Sequence, residues 1–267
     1  MQNHENQRFD SLFQEAGYQR LKNDLYSYLL RKRAVEKSLN TETPERVLEV
    51  GCGISPTAGA VDRIVYSDLS FEAMRLLKHS QKKGLYVVAD GINLPFKTNA
   101  FSHAICAEVL EHVENDRCML KELIRILKKP AGCLILTLPH RRAYFANDDR
   151  FVNHYRRYEI PEFTQCLSAM ELTPVQIKKV MGPAGKATMS LLAWIYLRIQ
   201  RLRSGPRSGK AKICPKFYDY FILWFKWLNR CYHYFMWFEA TIVPLPLAAV
   251  VLIQSRIKNP DAEHNDK

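Results

Sequence analysis

Paired cysteines are missing from this sequence. Its seven cysteines (52, 106, 118, 133, 166, 214 and 231) are scattered, odd in number and never spaced as C-x-x-C. That argues against a disulfide framework or a structural zinc site, and points to a reducing compartment, the cytoplasm. An apolar leader is missing too: Met1-Gln-Asn-His-Glu-Asn6 is polar, so no secretory signal is expected. No uncharged apolar run reaches the roughly 20 residues of a bilayer crossing. The longest, 240–253, has 14 residues and is broken by Pro244 and Pro246. Internal repeats, low-complexity tracts and a Ser/His/Asp or Cys/His nucleophile signature are absent as well.

Acids are scarce in one place only. The chain has 267 residues with 39 Lys+Arg against 27 Asp+Glu, a net +12. Residues 178–237 hold 12 Lys/Arg and a single acid, Asp219, a net +11, so the rest of the chain is neutral to within one charge. With 47% hydrophobic and 25% charged residues, the chain is globular rather than disordered or fibrous. Its length suits one large domain, or a core with an appendage. A basic segment attracts phosphate, in nucleic acid or in anionic lipid, and composition does not choose between them.

Short β-branched runs at 46–50, 63–67, 85–89, 103–106, 133–138 and 175–180 alternate with amphipathic stretches at 71–79, 116–128 and 161–172. Continuous apolar strands alternating with helices predict a parallel sheet covered on both faces. A seventh strand is expected at 248–255, a leading helix at 18–39 and a loose start at 1–10. The expected division is an N-terminal helical cap at 1–44, a core at 45–180, a basic aromatic helical insertion at 181–239, and a final strand and tail at 240–267.

The most informative stretch is Val47-Leu-Glu49-Val-Gly51-Cys-Gly53-Ile-Ser55. A strand ending in G-x-G lets the backbone turn sharply and approach a ligand closely. Asp68 closes the second strand, near the spacing at which an acid grips ribose hydroxyls, and Ala89-Asp90-Gly91 closes the third. Strand four is followed by Ala107-Glu-Val-Leu-Glu-His112-Val, and then by Lys121–Lys128 with Pro130-Ala-Gly132. In this order the motifs resemble the class I S-adenosylmethionine (SAM) methyltransferase family, in its type 11, quinone-methylating branch. The resemblance covers about 45–180 plus the last strand.

It implies a Rossmann-like, doubly wound, mostly parallel seven-stranded α/β sheet with a helical insertion between the last two strands. It also implies a SAM-dependent methyltransferase. Glu49, Gly51, Gly53, Asp68, Asp90, Ile92 and Ala107 would line the cofactor: the glycines at the methionine part, Asp68 at the ribose, and Asp90 with the Ile92 backbone at the adenine. Ser55 stands where the family usually has a third glycine. A dehydrogenase is disfavoured, because a pyrophosphate usually requires the full G-x-G-x-x-G.

Glu108, Glu111 and His112 follow strand four at i, i+3, i+4, one face of any helix beginning there. With His154 of Asn153-His-Tyr-Arg-Arg-Tyr158 they make two carboxylates and two imidazoles, a set suited to a divalent cation that orients and acidifies a hydroxyl. The pattern resembles metal-assisted O-methyltransferases of quinone precursors and RNA ends. A metal-free general base, His112 or His154 with Glu108 nearby, is the second reading, and a purely structural role the third. The H-Y-R-R-Y stretch resembles one in bacterial methyltransferases with envelope-linked substrates. Arg156 and Arg157 either pair with an acceptor anion or form a solvated pair with Tyr155 and Tyr158 packed inward.

All four tryptophans (194, 224, 227 and 237) lie in the insertion, whose middle, 203–215, has loop chemistry. On a helical wheel Asp219, Lys226, Asn229, Arg230 and His233 gather on one face, opposite Phe217, Phe221, Trp224, Leu228 and Phe235. The segment reads as a lid with its apolar face on the core, or, preferred, as a monotopic element peripheral to the inner face of an anionic membrane. RNA binding is less favoured, since the aromatics follow apolar helical spacing. The acceptor is then amphiphilic: a quinone precursor, a lipid headgroup or a lipid-linked sugar. An RNA methyltransferase and a soluble small-molecule enzyme with a helical lid are the rivals.

Overall fold

The computed structural model describes residues 21–59, 61–80, 83–203 and 215–258. All seven expected strands are present: β1 (Val47–Val50), β2 (Ile64–Asp68), β3 (Leu85–Val88), β4 (His103–Ala107), β5 (Cys133–Pro139), β6 (Leu172–Met181) and β7 (Val250–Ile257). The helices are α1 (Tyr26–Leu39), α2 (Phe71–Ser80), α3 (Asp116–Ile126), α4 (Asn147–Phe151), α5 (Ile160–Ala169), α6 (Pro183–Arg203) and α7 (Pro215–Ile242). The strands form one sheet in the order β3-β2-β1-β4-β5-β7-β6. β1 to β5 pair in parallel, and β7 runs antiparallel to both β5 and β6. The strand order reverses between β1 and β4, which is where open α/β sheets leave a crevice for a ligand.

Both faces of the sheet are covered, which is why its central strands are apolar without alternation. Leu48 and Val50 of β1 share a core with Met119 and Leu123 of α3 and Leu167 of α5. Val47, on the opposite face, joins Leu30 and Val35 of α1, Met74 and Leu77 of α2, and Met236 and Ala240 of α7.

Some boundaries differ from expectation for local reasons. In its described part the leading helix is divided: Lys22–Asp24 is a 3-10 turn, Leu25 is extended, and α1 starts at Tyr26. Asp24 is pinned there by Lys226 (3.0 Å) and Arg230 (3.3 Å) of α7. β6 starts at Leu172 rather than at residue 175. It includes Pro174, which an edge strand with a bulge tolerates because no ladder N–H is lost. The insertion is two long helices, and the expected loop at 203–215 falls almost wholly outside the described residues, as does the expected loose start at 1–10. Among the described residues no helix is long and apolar enough to cross a membrane.

The wheel drawn for α7 has the right two faces, but the lid reading put the wrong one inward. Asn229 and His233 are buried, and Asn229 Oδ1 accepts from the Tyr26 N–H at 3.4 Å. Lys226 and Arg230 lean on Asp24. Trp224, Leu228 and Phe235 are 56%, 41% and 61% exposed. The side chains of Phe217, Asp219 and Phe221 lie outside the described residues. The apolar face does not close over the core.

Candidate active site

The crevice begins where β1 ends. Gly51 (φ +70°) and Gly53 (φ +55°) both adopt the left-handed backbone. A Cβ at Gly51 would also stand 2.3 Å from Cγ2 of Val109, so no larger residue fits. The bend is locked to the end of β2: Gly53 N–H donates to Oδ2 of Asp68 at 2.8 Å, and Ser70 N–H to Oδ1 at 2.9 Å. Ala89 N–H donates to the Asp68 carbonyl (3.0 Å), bringing the end of β3 alongside. There Asp90 Oδ1 accepts from Ile92 N–H at 3.1 Å, and Ile92 is 37% exposed. Ala107 is the last residue of β4, half-buried beside the switch point.

Glu49 serves the same loop from beneath. Its Oε1 accepts from the Thr57 N–H (2.6 Å) and hydroxyl (2.8 Å), and its Oε2 from Ala58 N–H (3.0 Å). Burial pushes its pKa up. Both oxygens are committed to residues 57 and 58, so Glu49 shapes the cofactor loop instead of facing the crevice. Thr57 is therefore a site-shaping residue that no sequence motif marked.

Past β4 the chain is strained. Glu108 has φ +56°, and a 3-10 turn, Leu110–His112, stands where a helix start was expected. The turn still brings Glu111 and His112 to His154, with one potential ligand atom from each within 4.8 Å of the others. Glu108 lies outside that triplet, held by Arg31 at 3.3 Å. Glu111 is fully buried, and neither carboxylate oxygen has a hydrogen-bond partner among the described residues. Burial and then the charge of Glu108 push its pKa well above the carboxylate range. Burial and then His154 hold the His112 pKa down at about 3, so this imidazole is neutral.

His154 is oriented by a residue the motifs did not mark. Its Nδ1 lies 2.9 Å from Oδ1 of Asp149, and its Nε2 lies 3.7 Å from Glu111. Asp149 also accepts from Nε of Arg157 (2.9 Å) and from Lys186 (2.6 Å) on α6. Burial opposes its ionisation, but hydrogen bonds from His154, Arg157 and Lys186 outweigh burial and keep it a carboxylate. A carboxylate only accepts, so Nδ1 of His154 carries a proton, and Nε2 is the ring nitrogen turned toward Glu111.

Arg156 and Arg157 follow neither sequence reading. Arg157 is buried and spent on Asp149 and on the carbonyls of His140 and Ala249. Arg156 pairs with Asp116 at 3.2 Å. Tyr158 packs inward, its hydroxyl donating to Asp116, while Tyr155 is 49% exposed.

Residues 48–136 match the family described as "Methyltransferase domain". The chain is 27% identical to norajmaline N-methyltransferase of Rauvolfia serpentina, over 38% of this chain and 38% of that protein. It is 31% identical to demethylmenaquinone methyltransferase of Thermotoga maritima, over 40% of this chain and 49% of that protein. The chain thus spans about half or less of the length of the curated relatives it matches. Among solved structures, a SAM-dependent methyltransferase of Thermotoga maritima, titled a possible histamine N-methyltransferase, aligns with TM-score 0.56 at 18% identity. That alignment covers 90% of this chain and 98% of that one, and establishes the same fold.

Proposed function

We propose, from the match of residues 48–136 to the family described as a methyltransferase domain, that this chain transfers a methyl group from SAM to an amphiphilic acceptor. One observation carries the reading: Asp68 is clamped onto the Gly51–Gly53 bend at the switch point, Gly53 N to Asp68 Oδ2 being 2.8 Å. By the family resemblance that carboxylate would take the two hydroxyls of the ribose. Asp90 with the Ile92 backbone would read the adenine, as the family resemblance implies, and the two are already joined by the Ile92 N–H to Asp90 Oδ1 bond. Bound SAM supplies a methyl already activated by its sulfonium charge, so the protein has to align the acceptor and remove its proton. We assign that proton to His154, which Asp149 orients through Nδ1. The acceptor is a quinone precursor, a lipid headgroup or a lipid-linked sugar. Relatives named demethylmenaquinone methyltransferase favour the first class.

The test is calorimetric SAM binding by wild type and Asp68→Ala. The variant is expected to lose at least about tenfold in affinity, roughly 1.4 kcal/mol. Equal affinity would remove the assigned site.

A second reading concerns the reacting end. A fully buried carboxylate lacking hydrogen-bond donors, with two imidazoles beside it, fits a divalent cation held by Glu111, His112 and His154. When bound, the cation would orient and acidify an acceptor hydroxyl. Titrating manganese or zinc into chelator-stripped protein should give one site that His112→Ala abolishes; no binding heat, or heat the variant retains, leaves His154 to act without metal.

A further inference from the structure

An amphipathic helix on a globular protein normally turns its apolar stripe inward. α7 buries Met236 and Ala240 in the core, yet leaves a longer apolar stripe outside. Leu223, Trp227, Tyr234, Phe238 and Ile242 recur at helical spacing and are 56–65% exposed, with Phe235 beside them at 61%. On the neighbouring α6, Leu191, Leu192, Trp194 and Ile195 are 39–56% exposed. Single exposed apolar residues are ordinary, whereas a broad aromatic surface shared by two helices marks an interaction site.

This surface is not a loose packing of the body. On the polar stripe of α7, Asn229 meets the Tyr26 amide at the start of α1, and Lys226 and Arg230 meet Asp24 in the turn before it. The base of the hairpin is bolted down. Glu239 Oε1 accepts from Ala184 N–H at 2.7 Å, the Tyr26 hydroxyl donates to the Gly185 carbonyl at 2.7 Å, and Thr188 and Tyr232 share a hydrogen bond at 2.5 Å. With the inward face occupied and the base fixed, the aromatic face is committed outward.

We propose that the α6–α7 hairpin is a monotopic docking element whose aromatic face enters one leaflet of an anionic phospholipid bilayer. Charge complementarity selects that occupant. Lys186, Lys226 and Arg230 are spent on Asp148, Asp149 and Asp24, but the sequence between and beside the two helices, 198–218, holds seven Lys/Arg and no acid. Basic side chains gain on the order of 1 kcal/mol each near an anionic surface. Arg198 lies over the Trp194 ring at 5.2 Å, a cation kept at the edge of the apolar surface. Tryptophan and tyrosine are suited to the headgroup boundary, since each joins an apolar body to a polar tip. A second copy of the chain fits poorly, because face-to-face pairing would oppose two segments of +11.

The proposal deepens the amphiphilic-acceptor reading and rests on it only for its consequence. Lys186, in the first turn of α6, binds Asp148 at 2.5 Å and Asp149 at 2.6 Å, and Asp149 holds His154. Trp194 lies eight residues further along α6, about 12 Å by helical rise. A leaflet that takes up the aromatic face therefore lies close to the reacting histidine, and an amphiphile can present its head there with its chain still in lipid.

The experiment is flotation of the full chain at low salt with vesicles of phosphatidylcholine alone, or with phosphatidylglycerol added. Wild type is compared with the Trp227→Ser/Phe235→Ser double variant, with SAM calorimetry and light scattering on both. Wild type should float with the anionic vesicles about tenfold more than with the neutral ones. The double variant should stay at the bottom with unchanged SAM affinity. Wild type remaining at the bottom, or a variant floating as well as wild type, overturns the proposal. So does a micromolar wild-type dimer that the variant dissolves, which would give the face to a second copy. Loss of SAM binding with flotation intact would count against the methyltransferase reading and leave the docking surface standing.

Discussion

Glu111 is the residue whose surroundings are least easily explained by stability. It is fully buried with neither oxygen bonded, and its pKa lies well above the unfolded value. Between the two values the folded protein holds a proton that the unfolded chain has released, so stability falls as pH rises through that window. Glu111→Gln removes the titration while keeping the shape. In chelator-treated buffer the variant should melt about 2 °C or more above wild type near pH 7.5. The difference should shrink toward about pH 4, where the wild-type carboxyl is protonated in both states. Parallel pH profiles would mean that Glu111 is ionised and partnered in the fold. The combination of φ +56° at Glu108 and an unsatisfied acid three residues later is the kind of cost retained where a site needs it. The glycines and Asp68 were legible because a left-handed bend and an acid at a strand end are local requirements. Asp149 and Lys186 were not, because their pairing spans 37 residues and Lys186 reads as one base among twelve. Glu49 shows the opposite case. Its motif reads as cofactor contact, yet its oxygens hold the backbone of Thr57 and Ala58.

Whole elements were easier to anticipate than their orientation. Buried parallel strands read as uninterrupted apolar runs, and all seven appear near their expected places. The order of the sheet and the antiparallel β7 follow from pairing between distant segments, which the resemblance supplied and periodicity does not. For α7, periodicity separates two faces, but the surface it meets decides which one turns inward. That surface is mixed: an apolar part takes Met236 and Ala240, and its polar part is Asp24, the Tyr26 amide and Arg33, whose guanidinium lies 4.2 Å from the Trp237 ring centroid. Buried polar groups that find such partners lose little on desolvation, whereas an unpaired Asn229 or His233 would cost about 1–3 kcal/mol. The polar stripe therefore seats on α1, and Trp227 and Phe235 are left outside. A wheel drawn without knowledge of Asp24 cannot contain that outcome.

On the scale of the molecule, a near-neutral body carries one basic, aromatic helix pair, and Lys186 of that pair reaches the proposed reacting end at Asp149. Nucleotide and acceptor should then respond differently to lipid. The proposed SAM crevice lies over the ends of β1, β2 and β3, and the hydrogen bonds described there involve neither α6 nor α7. The acceptor end is reached through Asp148 and Asp149, which the first turn of α6 holds directly. Anionic vesicles should therefore raise kcat/KM for an amphiphilic acceptor by about tenfold or more, through a higher local acceptor concentration and a fixed approach, and leave SAM affinity unchanged. Raising salt from about 0.05 M to about 0.3 M shortens the Debye length and should erase most of the gain. A water-soluble acceptor analogue lacking its chain should show neither the activation nor its salt sensitivity. If vesicles instead stimulate that analogue equally, lipid acts on the catalytic groups themselves through the Lys186–Asp149–His154 connection, and the hairpin is a switch before it is an anchor.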